Sequence, residues 1–435
     1  MALNPTIMQA VEQLGYRVTV GDVATQAGLN VNLAQQGLLA LATDAGGHLQ
    51  VAESGDVVYL FPKNFQAILR NKFLRLRLQE SWKKVWRVLF YLIRISFGIV
   101  LLLSILLIFL SIILIISAAN QSSNNNRGHS QGGGGQVFLP YFWIGPNWFW
   151  FFDPGYGTPQ YRRRREREPN EMNFFEAIFS FLFGDGNPNA NLEERRWQEI
   201  ANVIRNNKGA VVAEQIAPYI DNIGQGYAKE YEDYMLPVLT KFNGQPAVSP
   251  EGQIVYHFPE LQTLAQQRYG QPVAAYLQEL PWRFSAASSG QIMLATGLGA
   301  LNFVGALVLG NLLANGTVAA KLGGLVGFVH SIYWLLLGYG IAFLGVPLVR
   351  YFWIQWRNSQ IAVRNQQRQE RVRQLSQADP VLQQKIAYAR QFAAETVIGD
   401  RDLAYTTETD LLDQEAGRSA QTDAEWRRRL GQSGS

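Results

Sequence analysis

ISFGIVLLLSILLIFLSIILIISAA, residues 95–119, contains no charged side chain. A bilayer core of about 30 Å needs roughly 20 helical residues at about 1.5 Å each. The stretch is long enough to cross with some tilt. Ser96, Ser104, Ser111 and Ser117 interrupt it, but a serine hydroxyl can bond back to a carbonyl of its own helix. A buried helix of a soluble protein has no need of Leu and Ile on every face. The segment reads as a transmembrane helix, and the chain as an integral membrane protein.

A second apolar region covers residues 291–350. Asn311, Asn315, Gly316 and Lys321 divide it into halves, each about one bilayer long. Both halves are rich in glycine, and Gly323-xxx-Gly327 has the spacing at which membrane helices approach closely. The pattern predicts a Gly-rich helical hairpin. His330 falls in its second half; with no acid nearby, a hydrogen bond to a neighbouring helix is preferred over a proton or ligand site.

The flanks are basic. Lys63, Arg70, Lys72, Arg75, Arg77, Lys83, Lys84, Arg87 and Arg94 precede the first span; Arg350, Arg357, Arg364, Arg368, Arg371 and Arg373 come after the last. Basic flanks stay on the cytoplasmic side, so both ends are expected there, which three passes cannot achieve. Val137–Phe152 (VFLPYFWIGPNWFWFF) is the candidate fourth pass. It is short, aromatic and broken by Pro140 and Pro146, which suits an interfacial or re-entrant path equally. Three versus four passes stays open. The Arg162–Arg165 run favours a cytoplasmic place for the residues on its C-terminal side. The first residues have no basic n-region and no apolar run, so no signal or transit peptide is expected.

Outside the membrane segments two stretches resemble each other. LALATDAGGHLQVAESGDVVYLFP (Leu39–Pro62) and LPVLTKFNGQPAVSPEGQIVYHFP (Leu236–Pro259) align without gaps, matching Gly47 with Gly244, Gly55 with Gly252, Tyr59 with Tyr256 and Phe61 with Phe258. Upstream, VTVGDVA (Val18–Ala24) matches VVAEQIA (Val211–Ala217). Each copy predicts a helix, a short strand, a short helix opened by an acid (Asp22; Glu214), a third helix and a β-hairpin. That order resembles a winged helix-turn-helix. The fold class is therefore a mixed membrane protein: two α+β winged-helix-like domains plus one long span and a helical hairpin. The expected boundaries are 1–62 for the first winged-helix-like domain, 63–94 for a basic juxtamembrane helix and 95–119 for the span. A Gly-, aromatic- and Arg-rich linker occupies 120–172, then an apolar helix plus the second winged-helix-like domain 173–262. A connector occupies 263–290, the helical pair 291–350, and a basic helix and polar tail 351–435.

Winged helices commonly bind DNA, yet phosphate contact needs lysine and arginine. Residues 1–62 contain one, Arg17, against Glu12, Asp22, Asp44, Glu53 and Asp56. The third helix (NVNLAQQGLLALATD) has none. Its Asn30, Asn32, Gln35 and Gln36 could read bases but not anchor the duplex. Nucleic acid binding is disfavoured and a protein-interaction role preferred.

Chemistry is sparse. The chain has no cysteine and four histidines, His48, His129, His257 and His330, far apart in sequence. Thiolate metal sites, cysteine nucleophiles and iron–sulfur ligation by the chain are excluded. No P-loop, dinucleotide fingerprint, GxSxG or HExxH occurs. No catalytic, cofactor or metal residue is named, and an enzyme is not expected.

Three features, NFFEAIFSFLFGDGNPN (Asn173–Asn189), LEERRWQEIANVIRNNKGAVVAEQIAPY (Leu192–Tyr219) and the aromatic block ahead of Arg162, resemble a family of cyanobacterial and plastid membrane proteins. Its plant members are sometimes labelled iron–sulfur cluster biosynthesis proteins. The resemblance implies a photosynthetic host and a thylakoid or plasma membrane. The expected function is a membrane scaffold or assembly factor whose partners are membrane lipids and a membrane or cytoplasmic protein. The alternatives are a membrane-tethered transcription regulator, which would need a basic recognition surface, and a small transporter or channel built on the Gly-rich pair.

Overall fold

The computed structural model describes residues 4–72, 74–124, 172–226, 230–267, 270–314 and 321–414, with scattered positions beyond. The aromatic segment Val137–Phe152, most of the polar linker Gln121–Gln136 and the Arg162–Arg165 run lie outside the described residues. Two compact units emerge, one built from residues 1–84, 187–282 and 357–435, the other from 85–186 and 283–356.

Helix α1 (Pro5–Gln13) starts where the Asn4 side chain accepts the Thr6 N–H and Pro5 fixes the first turn. Strand β1 (Arg17–Thr19) leads into α2 (Val20–Ala27), opened by a reciprocal cap between Thr19 and Asp22 and closed by Gly28 at φ 61°. α3 (Val31–Ala45) ends on Gly46 at φ 68°. β2 (His48–Ala52) and β3 (Val57–Leu60) form a hairpin, and α4 (Phe65–Lys72) packs Phe65 and Leu69 into the core.

α5 runs without a break from Leu74 to Asn124. Residues 74–94 of the basic juxtamembrane segment are thus the first part of the same helix as the apolar stretch, while residues 65–72 form the separate α4. α6 (Phe174–Phe183) comes after the undescribed stretch. Next come α7 (Leu192–Asn206), β4 (Ala210–Val211), α8 (Ala213–Ile216), α9 (Leu236–Phe242), β5 (Gln245–Val248), β6 (Ile254–His257), α10 (Pro259–Gln262) and β7 (Thr263–Leu264).

α11 (Ser289–Leu313) forms the first half of the Gly-rich pair. The second half is α12 (Gly324–Ser331) and α13 (Tyr333–Ser376), parted at Ile332. α13 carries Pro347 inside and extends far past the apolar stretch, so the basic helix expected after the last span is its continuation. α14 (Pro380–Ala389), β8 (Thr396–Val397) and β9 (Leu403–Thr406) complete the chain.

In the first unit the sheets run β1-β3-β2-β9, β4-β6-β5 and the parallel pair β7-β8. One core joins Val11, Leu38 and Phe65 to Ile200, Phe242 and Phe258. The two repeated stretches therefore share their interior. Their junction is close: a methyl on Gly21 would lie 1.9 Å from the Glu260 carbonyl oxygen. The C-terminal region, expected as a basic helix and a polar tail, also supplies two strands. β9 lines the outer edge of β2, and α14 covers Val212 and Val255 on the β4-β6 sheet.

The second unit is helical. α6 packs Phe181 and Leu182 against Leu101, Ala295 and Phe343. A second cluster joins Ile108 and Ile115 to Ala306, Leu309, Val329 and Leu336. The close approaches fall at Gly299, whose added methyl would meet Phe343 at 2.5 Å, and Gly305, which would meet Ile108 at 3.0 Å. Gly323, by contrast, faces open space at φ 58°, because it starts a helix instead of lying on a helix–helix contact. Among the described residues three helices are long and apolar enough to cross a membrane. Their outward faces carry exposed Leu103, Leu106, Ile113, Val304 and Leu348, apolar surface of the kind that marks a membrane or protein contact.

Candidate functional site: the paired helix–hairpin modules

The two repeated stretches meet their partners in one register. His48 faces Leu60 and Val51 faces Val57; at the aligned positions Gln245 faces His257 and Val248 faces Ile254. Val18 faces Tyr59 as Val211 faces Tyr256. Details of the turns coincide as well. Tyr16 and Gly209 have φ of 70° and 76°, and each carbonyl accepts at 2.8 Å from the N–H of Phe61 or Phe258. Gly55 and Gly252 take φ of 88° and 83° in the two hairpin turns, where any side chain would strain the backbone. Gly47 and Gly244 leave room for the Phe61 and Phe258 rings, which an added methyl would meet at 3.0 and 2.3 Å.

Each short second helix carries its expected acid in the first turn, Asp22 or Glu214, but the capping side chains differ in type. The side chain that reaches back to cap the short second helix is Asp22 in the first copy and Gln215, not Glu214, in the second, both at 3.0 Å. Glu214 instead joins Lys385 of α14 at 2.9 Å. Lys385 also pairs with Glu232, whose second oxygen accepts the Tyr256 hydroxyl at 2.8 Å. Burial, with the Glu232 charge behind it, pushes the Tyr256 phenol well above its ordinary range.

The exposed face of α3 consists of Asn32, Leu33, Gln35, Gln36, Leu39 and Thr43, with no cation. Leu33 and Leu39 are 58% and 51% exposed; Leu236, at the position matching Leu39, is 59% exposed. Arg17 is not available to a phosphate. Its Nε donates to Gln50 at 3.0 Å and its Nη1 to the carbonyls of Ile398, at 2.8 Å, and Ala265. It holds the β7-β8 pair against the first module.

The hairpin edges differ. Leu49 donates its N–H to the Thr407 hydroxyl at 2.8 Å and its carbonyl accepts the Thr407 N–H at 2.9 Å, where the chain leaves β9. At the matching position Pro246 has no N–H to offer, and among the described residues no strand pairs with the outer edge of β5.

Many cations of the C-terminal basic flank are bound internally. Arg364 grips Glu279 through Nε at 2.8 Å and Nη2 at 2.6 Å. Arg368, 1% exposed, pairs with Glu279 at 2.8 Å and with Asp221, and donates to the Leu277 carbonyl at 2.8 Å. Arg371 donates to the carbonyls of Ala217, at 2.9 Å, and Ile220. Burial pushes the Glu279 carboxyl up, but the hydrogen bond from Arg364 and the charges of Arg368 and Arg364 outweigh it and hold it below the usual range. Asp221 is lowered in the same way by Arg368 and Arg196 against its burial. This lattice fastens residues 217–221 and 277–279 to one face of α13. Composition does not reveal it, because Glu279 and Asp221 lie about 85–150 positions from the arginines of α13 that hold them.

The histidines stay apart. His48 Nδ1 lies 3.1 Å from the Thr407 carbonyl oxygen, His257 stacks on Phe392 at 5.3 Å, and His330 is exposed near the end of α12. His129 lies outside the described residues. Among the described residues no three His, Asp or Glu side chains cluster as a metal ion would need.

No protein-family model and no solved structure matches the chain. The chloroplastic protein At5g03900 of Arabidopsis thaliana, itself described as uncharacterized, is 39% identical over 97% of this chain and 81% of its own length. The chain belongs to that plant protein's family. This plastid-associated family and the three apolar helices are compatible with a plastid membrane protein. The FGDG turn of this family member has a defined task that the sequence alone did not disclose. Asp185 accepts from the Ser180 hydroxyl and the Ala286 N–H, both at 2.7 Å. Arg350 donates to the Phe181 carbonyl at 2.7 Å at the C-terminal end of α6, where a cation suits the helix dipole, and lies over the Phe284 ring at 4.5 Å.

Proposed function

We propose that the protein is a non-enzymatic scaffold or assembly factor of a plastid or thylakoid membrane, presenting two winged-helix-like modules to a protein partner. The single observation behind this reading is the α3 face, where two exposed leucines lie among neutral amides and no cation is present. Protein interfaces favour such apolar centres depleted of charge. A duplex-reading helix needs cations beside it to hold the phosphates, and Arg17 is engaged elsewhere. The winged-helix likeness rests on the element order and on the common register of the two hairpins.

Both modules face the cytoplasm, or the stroma in a plastid. With several arginines of α13 held internally, the basic signal for this orientation falls to exposed residues such as Lys84, Arg87, Arg357 and Arg373. A role in iron–sulfur assembly would have to run through a partner's ligands, since the chain has no cysteine of its own.

The experiment is an affinity capture from detergent-solubilised photosynthetic membranes, using the full chain and the variant Leu33→Asp/Leu39→Asp as baits. The wild type should retain a stoichiometric protein that the variant loses. A parallel titration with duplex DNA should give binding weaker than the roughly 10⁻⁴–10⁻⁶ M of ordinary non-specific binders, with almost no salt slope. Tight and steeply salt-dependent binding would replace the scaffold reading with a membrane-tethered regulator.

A further inference from the structure

Residues 1–84, 187–282 and 357–435 are separated in sequence by the apolar helices, yet they fold into one compact unit. Val11 and Leu38 of the first stretch share a core with Ile200, Phe242 and Leu277 of the second. Arg368 of the third ties Asp221 to Glu279, and β9 pairs with β2. A bilayer cannot divide such a unit, because its hydrocarbon core is crossed only by helices and closed barrels. The helical unit defines two levels. At one level, Arg94 of α5 pairs with Asp185 at 3.4 Å and Glu176 at 3.9 Å. Gln291, in the first turn of α11, donates there to the Met172 carbonyl at 2.7 Å, and Arg350 of α13 to the Phe181 carbonyl at 2.7 Å. At the other level, Ile115 of α5 clusters with Leu313, the last residue of α11, and Val326 of α12. Along the unbroken α5, Arg94 and Ile115 lie about 32 Å apart at about 1.5 Å per residue, close to the roughly 30 Å of a hydrocarbon core. α5 thus ends at the second level, while α6 begins at the first.

We infer that the chain crosses its membrane an even number of times, with Asn124 and Asn173 on opposite sides. Both helix–hairpin modules and the C-terminal strands lie together on the side where α6 begins. Crossings by α5, α11 and α13 alone would leave Asn173 on the far side, out of reach of Gln291 and the Arg94 level. A partner of the α3 face therefore approaches from the side that also holds α14 and β9. The inference rests on α5, α11 and α13 lying in a bilayer. It uses no count of flanking charges and is independent of the scaffold reading.

The chain has no cysteine, so each single substitution gives one reactive thiol. The test uses Gln36→Cys, Asn124→Cys, Asn173→Cys, Lys321→Cys and Thr409→Cys, each in the full chain. Gln36, Asn173, Lys321 and Thr409 are exposed. Sealed membrane vesicles carrying each variant are treated with a membrane-impermeant maleimide before and after permeabilisation with detergent. The thiols at Gln36, Asn173 and Thr409 should react alike, all before permeabilisation or all only after it. Those at Asn124 and Lys321 should show the opposite behaviour. Should Asn173→Cys fail to accumulate, Ala190→Cys, exposed just beyond α6, takes its place. If the Asn124 and Asn173 positions react from the same side, or the Gln36 and Thr409 positions from opposite sides, the proposal is wrong.

Discussion

Replacing Arg368 with methionine removes the most buried cation among the described residues of the first unit. The guanidinium is 1% exposed and holds Glu279, Asp221 and the Leu277 carbonyl together. Breaking a buried pair from one side costs about 3–5 kcal/mol when the remaining charge is stranded. Here neither carboxylate is fully stranded. Glu279 keeps its two-point contact with Arg364, and Asp221, 45% exposed, keeps Arg196. Discounting for both, and for the packing that methionine retains, leaves about 2–3 kcal/mol. For a domain of this size that lowers the melting temperature by roughly 5–10 °C. The assay is the thermal transition of the full chain in detergent, monitored by tryptophan fluorescence. The control is Arg373→Met, whose pair with Glu370 is 67% and 56% exposed and whose loss should cost at most about 1 kcal/mol. If the two variants melt alike, the lattice around α13 contributes nothing and the argument from burial fails.

Other contacts give equally specific expectations. Gly21→Ala must push the first module off the Glu260 carbonyl, because both atoms in the 1.9 Å clash belong to the backbone or its first side-chain atom; it should destabilise the first unit by about 2 kcal/mol or more, and proteolysis within residues 187–282 should speed up. Ser104→Ala, which deletes the buried 2.8 Å bond to Asn302, should cost only about 0.6 kcal/mol in a bilayer; a loss above about 2 kcal/mol in a reversible unfolding assay would contradict the helix-packing account. Glu279 and Asp221 both have depressed pKa values, so the stability they contribute is complete above the ordinary carboxylate range and is lost as pH falls through their folded values. A melting temperature that rose between neutral pH and the acid side of that range would reverse this sign.

The sequence was most legible where one pattern occurred twice. Gly47, Gly55, Tyr59 and Phe61 align with Gly244, Gly252, Tyr256 and Phe258 because turns and close ring contacts restrict residue choice locally. The long span was equally plain, since apolar residues on every side admit few soluble explanations. The missed features are long-range. The task of Arg17 depends on carbonyls of Ala265 and Ile398, and no local pattern names them. β8 and β9 are two and four residues long and gain their identity only from the strands they join. The basic flank after the last span read as an orientation signal because a count of charges cannot distinguish a solvated arginine from one bound to Glu279.

The pairing of β9 with β2 has a consequence for biogenesis. The strand that seals the first hairpin is made some 350 residues after it. At about 5–20 residues per second, the ribosome takes roughly 20–70 s to reach it. Throughout that interval the three apolar helices are being synthesised while β2 presents an open edge, the kind of edge that invites pairing with a foreign strand. The matching edge on β5 lacks a donor at Pro246 and is less receptive to such pairing. Nascent chains stalled before residue 403 should therefore recruit chaperones at the first hairpin and not at the second.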